Sequence, residues 1–265
     1  MKAQLPTLLL RLCAVLALVY LIAPLAVVIP VSLTDQRMLS LPVDGISLQH
    51  YETVFNSREW LGSALQSLLI GVASTFLALF LGVFSAIGCW MLGHGSAKQG
   101  KVGLFRVVNL LPLVIPSIIY ALGVYRVFVE IGLYDTLIGV IMVHTVGSVP
   151  FVFVAISTNL EYVDIALVRA ARSLGAGLLR TAVSVILPNI KTGLISAAIF
   201  AFLHSWDEVV VTLFVSSRAV HTLPRKMWEG LSENLDPAIA CVAVALIVVT
   251  VIMLSIEQRA SAKRG

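Results

Sequence analysis

The chain has 265 residues, of which 59% are hydrophobic and only 12% charged, and its mean hydropathy is +0.99. Soluble globular domains carry about 25% charged residues, so this composition excludes that class and points to one integral membrane domain over 1–265. A net charge of +4 would direct attention to nucleic acid in a soluble protein; here the placement of the charges says more than their sum, and no nucleic-acid partner is implied.

Six apolar runs follow in chain order. The first, about 8–33, is longer than the roughly 7–15-residue core of a signal peptide, and Pro24 and Pro30 should bend it. A polar loop with DQR and NSREW leads to the second run, 61–92, and a basic loop, HGSAKQGKVGLFR, leads to the third, 107–129, with Pro112, Pro116 and Arg126. After an EIGLYD turn the fourth run, 136–158, holds Pro150. The fifth, 190–215, is interrupted by SWDE, and the sixth covers 237–256; between them Thr222 and Pro224 mark the start of a short surface helix. Each run is long enough for the ~30 Å hydrocarbon layer. The expected fold is therefore all-α and polytopic, with six transmembrane helices. Cys13, Cys89 and Cys241 lie inside apolar runs without disulfide or metal spacing and read as packing residues. Small residues at four-residue spacing, Gly82 with Ala86 and Gly193 with Ala197 and Ala201, mark faces for close helix approach, within this chain or against a partner.

Charge orients the spans. Lys98, Lys101 and Arg106, then Arg169, Arg172, Arg180 and Lys191, then Arg259, Lys263 and Arg264 fall on one side together with Lys2. The alternate loops are richer in acids, including Glu52, Glu130, Asp135 and Asp236. By the positive-inside rule both termini, and the loop over 159–189, face the cytoplasm.

That loop is a long polar break in an apolar sequence. Asp164 can cap a helix that starts at Ile165, and Gly175 can end it in a left-handed conformation. Leu167, Ala171 and Leu174 share one stripe of this helix, with Ala166 and Ala170 beside it. A second helix carries Leu179, Ala182, Val183 and Ile186 at helical spacing until Leu187 and Pro188 close it. The result is a small alanine-lined knob able to enter a groove on another protein. Each of Asp164, Gly175 and Pro188 alone is ordinary helix punctuation; their combination in one loop is more specific.

Enzyme chemistry has little to stand on. Gly95, Gly100 and Lys101 imitate the start of a phosphate-binding loop, but Val102 replaces the required Ser or Thr and no strand precedes it. The five histidines, His50, His94, His144, His204 and His221, are scattered, and no catalytic or metal-binding motif appears. Asp207 and Glu208, after Trp206, sit within the fifth run, where an exposed charge costs about 2.5–3.5 kcal/mol. Three readings are open: they line a watery pathway, they pair with Arg126, or the span ends near Ser205 and leaves them in the headgroup zone. As pathway residues, two carboxylates beside an indole favour a cationic solute, with Tyr120 a further candidate contact.

The sequence R-A-A-R-S-L-G from Arg169 to Gly175, followed by V-I-L-P from Val185 to Pro188, resembles the signature loop of the membrane permeases of binding-protein-dependent ABC importers. The six-span layout is similar too, so the resemblance covers nearly the whole chain. It implies a type I importer permease in the bacterial inner membrane. Its loop would form coupling helices that dock into an ATP-hydrolysing subunit, a role that carries over to Ala170, Ala171 and Gly175 and, less directly, to Leu187 and Pro188. Arg169 stands where the family has glutamate, reversing a charge at the docking surface, and Thr192 stands where a proline is frequent. Within the family, F-x-x-S-W-D-E at Phe202 to Glu208 and T-L-P-R-K-M-W at Thr222 to Trp228 resemble the spermidine/putrescine branch. Permeases for aminophosphonates, opines and ferric iron look similar.

The resemblance implies an ABC ATPase dimer that binds ATP and Mg outside this chain, a second and homologous permease subunit, and a periplasmic solute-binding protein. This chain would carry no cofactor of its own and no catalytic residue. Two other classes remain in view: an ion-coupled secondary transporter with Asp207 and Glu208 as proton carriers, and a membrane scaffold whose loop holds a cytoplasmic protein.

Overall fold

The computed structural model describes residues 4–93, 99–233 and 236–262. Lys2, the basic segment from His94 to Lys98 with Gly95 of the imitation phosphate loop, Lys263 and Arg264 lie outside the described residues. Among those described, every regular element is a helix: α1 (Gln4–Ser32), α2 (Gln49–Asn56), α3 (Arg58–Gly93), α4 (Gln99–Val114), α5 (Ser117–Ile131), α6 (Leu137–Leu160), α7 (Ile165–Ser173), α8 (Leu178–Asn189), α9 (Lys191–Asp207), α10 (Val210–Val215), α11 (Leu223–Glu233) and α12 (Ala238–Ala262).

Four helices, α1, α3, α6 and α12, are each long and apolar enough to cross a membrane. α1 runs unbroken through Pro24 and Pro30, and α6 through Pro150. The third run differs from the expected single helix. It is two helices, α4 and α5, meeting at 102°. The cause is at the junction: Pro116 supplies no N–H, and its ring pushes Ile115 out of the helical region. The fifth run is also divided. α9 ends at Asp207, Glu208 is extended (φ −76°, ψ 113°), and α10 begins at Val210 after Val209.

The chain forms two compact units. One comprises 1–61 and 227–249. In it the Ser32 and Tyr51 hydroxyls lie 2.8 Å apart, the Cys241 thiol donates to the Ser32 carbonyl (3.3 Å), and Ala238 to Val242 are buried. The Asp35 carboxylate accepts from the Val43 and Asp44 N–H groups and the Gln36 amide, and the Val43 bond leads in holding its carboxyl below the ordinary value. The apolar side chains of α1 from Leu9 to Val27 are exposed.

The other unit comprises 62–226 and 250–265. α9 packs along α6, and small residues make that approach possible. Ala197 and Ala201 are fully buried, Ser148 donates to the Ala201 carbonyl (3.2 Å), and a Cβ on Gly193 would overlap the Asn159 side chain. On α3, a Cβ on Gly82 would stand 2.6 Å from Val152 of α6. The small-residue faces therefore serve contacts inside this chain. One apolar cluster joins α3, α6 and α9 and continues through Val168, Ala182 and Ile186 into α7 and α8. A second joins α5, the start of α6, and α10.

At the end of that second cluster Asp135, with φ 55°, acts as a clamp. Its carboxylate accepts from the Ser216 hydroxyl (2.9 Å) and the backbone N–H groups of Ser217 (2.7 Å), Arg218 (3.0 Å) and Ala219 (3.0 Å). Burial pushes its pKa up, but these donors outweigh that and hold it at about 2 instead of 3.8. Arg225, itself buried, donates to the carbonyls of Ser217 and Val220 in the same loop.

Candidate functional site

The loop between α6 and α9 is built by its punctuation. The Asp164 carboxylate accepts from the Ala166 N–H (2.8 Å) and starts α7. At the other end Gly175 adopts φ +87°, the Gly175 N–H bonds to the Arg172 carbonyl (3.0 Å), and the Ala176 N–H bonds to the Ala171 carbonyl (3.1 Å). These paired bonds satisfy the last carbonyls of the helix and turn the chain sharply, which a residue with a Cβ would resist.

α8 departs from expectation. Pro188 does not close it: the helix passes through the proline and ends at Asn189, with a π turn over Ala182–Ile186 just before it. A proline cannot donate to the carbonyl four residues back and its ring crowds that carbonyl; a wider turn relieves both. The 84° bend to α9 follows at Ile190.

Val168, 3% exposed, anchors α7 to the interior with Ala182 and Ile186. Burying such a side chain from water contributes about 1.5–3 kcal/mol. The outward face is more apolar and larger than an alanine knob. Leu174 is 89% exposed and Leu179 66%, with Leu167, Leu178 and Val183 also exposed, whereas Ala171 is half-buried. Arg169, Ala170 and Pro188 are exposed, and Leu187 is half-buried.

Of the four residues named for the solute path, the structure brings Tyr120 and Glu208 together and leaves Trp206 and Asp207 outside. A cavity of ≈ 340 Å³ is lined by Tyr120 of α5, His144, Gly147 and Phe151 of α6, His204 of α9, and Glu208. Pro112 to Ser117, at the α4–α5 corner, close another side. Trp206 is buried and stacks on Phe202, with ring centroids 5.4 Å apart. Asp207 is exposed. Arg126 donates to Glu130 (2.7 Å), so the ion pair considered for Asp207 or Glu208 is not formed.

Glu208 has two functions in the fold. Its carboxylate accepts from the Val211 N–H (2.9 Å) and starts α10, while its side chain borders the cavity. It also stands at the C-terminal end of α9, where unpaired carbonyls carry partial negative charge. A carboxylate and a helix C-terminus at one break favour a cation or a hydrogen-bond donor.

A buried polar chain fixes this break. Ser74 donates to Ser205 (3.1 Å), Ser205 meets His144 Nδ1 (2.7 Å), His144 Nε2 meets Thr212 (2.9 Å), and Thr212 donates to the Glu208 carbonyl (3.3 Å). With Ser74 and Thr212 donating in these directions, His144 is the Nε2–H tautomer. Four helices are tied by this chain, and the Tyr120 hydroxyl adds a bond to the Val143 carbonyl (3.1 Å). His144 and His204 were missed in the sequence because the histidines are far apart in it. Their signal was an ionisable ring inside an apolar run, a feature that is costly in a membrane and usually turned inward.

The comparisons agree with this architecture. The family model for the binding-protein-dependent transport system inner membrane component matches residues 78–264. The chain is similar to the spermidine/putrescine transport system permease protein PotC of Haemophilus influenzae, 25% identical over 246 residues and 93% of each chain. It is 27% identical over 254 residues to a protein of Salmonella paratyphi A named as a 2-aminoethylphosphonate transport system permease, PhnV, covering 95% of this chain and 93% of that one. Among solved structures it resembles a chain of a bacterial ABC transporter involved in alginate import (TM-score 0.69, 16% identity, 97% and 96% covered). It also resembles one of the methionine transporter MetNI (TM-score 0.64, 18% identity, 76% and 94% covered). These two likenesses establish the fold, and the family match spans most of the sequence. The chain belongs to the family of inner-membrane components of binding-protein-dependent transport systems.

Proposed function

We propose that this chain, working as one permease domain, forms half of the path of an ATP-driven ABC importer and passes a small cation of the polyamine type into the cytoplasm. The observation that carries the solute class is Glu208, a carboxylate at a broken membrane helix that borders a cavity with Tyr120 and two histidines. An alkylammonium group placed there meets the carboxylate, the negative end of α9 and the face of Tyr120. Similarity to PotC supports the same reading. Asp207, exposed beside the break, adds negative charge near the path without bordering the cavity, and Trp206 packs on Phe202.

Similarity to PhnV favours a second solute, 2-aminoethylphosphonate. It shares the ammonium group but carries an anionic end that an acidic path would repel.

Both termini and the 159–189 loop face the cytoplasm in this reading. The loop docks on an ATPase dimer, which binds ATP and Mg. The exposed Leu167, Leu174, Leu178 and Leu179 supply apolar contact area, Arg169 seeks an acid on the ATPase, and Gly175 with Asp164 fixes the shape presented. Leu187 and Pro188, in the bend below α9, pass movement of the loop to the span that carries Glu208. A periplasmic binding protein delivers the solute. The buried chain through His144 ends on the Glu208 carbonyl and not on its carboxylate. That favours a positional role over proton carriage.

The test is uptake of labelled putrescine by the assembled transporter in vesicles with ATP inside. Glu208→Gln should raise KM at least tenfold while ATPase association persists. Unchanged uptake kinetics would remove Glu208 from the path.

A further inference from the structure

We propose that a cleft between α3, α4 and α6 holds the headgroup of an aminophospholipid, with an acyl chain lying in the apolar groove next to it. The cleft has a volume of ≈ 250 Å³, and Trp90, Arg106, Leu110, Ser157, Thr158 and Glu161 line it. Trp90 lies three residues before the end of α3, Glu161 directly follows α6, and Arg106 is two turns into α4. All three thus occupy one end of their spans, the level at which headgroups lie and amphipathic rings such as indole settle.

The chemistry of the lining fits a zwitterion. Arg106 and Glu161 border the same space, yet neither makes an ion pair within 4.0 Å among the described residues. A phosphodiester would take the guanidinium fork and the Ser157 hydroxyl. A primary ammonium would take the Glu161 carboxylate and the Thr158 oxygen, whose own proton is committed to the Val154 carbonyl (2.8 Å). Phosphatidylglycerol offers no cation to Glu161, and a choline headgroup has no N–H to give it. Cys89 also borders a neighbouring apolar trough of ≈ 270 Å³ lined by Phe84, Gly88, Leu92, Val102 and Phe105. A Cβ on Gly88 would meet nothing within 4 Å, so the trough is open there to a chain from outside.

Native mass spectrometry of the complete transporter, released from nanodiscs containing equal phosphatidylethanolamine, phosphatidylglycerol and phosphatidylcholine of matched chains, would count the lipid retained. Phosphatidylethanolamine should exceed each of the others at least threefold. Arg106→Gln should lower retention of all three lipids, whose phosphodiester is common, Glu161→Gln should equalise the ethanolamine and glycerol lipids, and Gly88→Leu should reduce retention with the headgroup residues intact. Equal retention of the three lipids, or retention unchanged in all three variants, would overturn the proposal. So would displacement of the lipid by soluble phosphoethanolamine at equal concentration, since the cleft would then recognise a free headgroup and not a lipid.

Discussion

Glu208 and Asp207 are adjacent and chemically similar, but the fold assigns them different surroundings. Glu208 borders the cavity and caps α10, whereas Asp207 is exposed at the end of α9. Asp207→Asn should therefore raise the KM for putrescine less than threefold, well short of the effect of Glu208→Gln. Equal effects would mean that both acids meet the solute. Asp135 provides a separate test at this scale. Replacing its carboxylate removes charge-assisted bonds to three N–H groups and a hydroxyl, and Asp135→Ala also places a Cβ-bearing residue of low left-handed preference at φ 55°. A loss of about 2–4 kcal/mol is expected for Asp135→Ala and less for Asp135→Asn, which keeps one acceptor and tolerates the backbone. Melting midpoints of the purified protein would check the order. The depressed pKa also sets a pH window: the clamp contributes fully above 3.8 and fades as pH falls through about 2.

At the scale of elements, what could be read from the sequence was what punctuation and length determine. Asp164 and Gly175 bound α7, and six apolar runs correspond to α1, α3, the α4–α5 pair, α6, the α9–α10 pair and α12. What could not be read was how each proline would be accommodated. Pro24, Pro30 and Pro150 are absorbed within helices, Pro188 is absorbed by a π turn, and Pro116 breaks its run by 102°. The outcome depends on packing around the freed carbonyl, which no local pattern encodes. The cavity was half legible for a related reason. Tyr120 and Glu208 stood out as polar groups in oil, but His144 and His204 acquire meaning only when α6 and α9 lie together.

Glycine substitutions separate turn geometry from close packing. Gly175→Ala should cost about 1–2 kcal/mol at φ +87°, with Gly175→Asn milder. Coupled uptake should fall in that order, and unaffected uptake in Gly175→Leu would contradict the docking role of the loop. Gly193→Ala should lower the melting midpoint because its Cβ meets Asn159, whereas Gly177→Ala, with nothing within 4 Å, should leave it in place.

For the whole molecule, the buried core of one unit runs from α3, α6 and α9 into the α7–α8 loop, so the loop and the cavity bordered by Glu208 are attached to the same packed helices. In the proposed mechanism, movement imposed on α7 and α8 would pass through Val168, Ile186 and the bend at Ile190 to α9, whose far end is the Glu208 break. Such a rigid link suits alternating access driven from outside the membrane. It also distinguishes the two transport mechanisms, because an ion-coupled carrier needs no partner at the loop. The most direct measurement is putrescine uptake into vesicles containing the assembled complex with its binding protein, with ATP inside and with or without a proton uncoupler. Uptake that requires both ATP and the binding protein and is unaffected by the uncoupler is the expected result. Uptake that proceeds without ATP and collapses with the uncoupler would contradict the account.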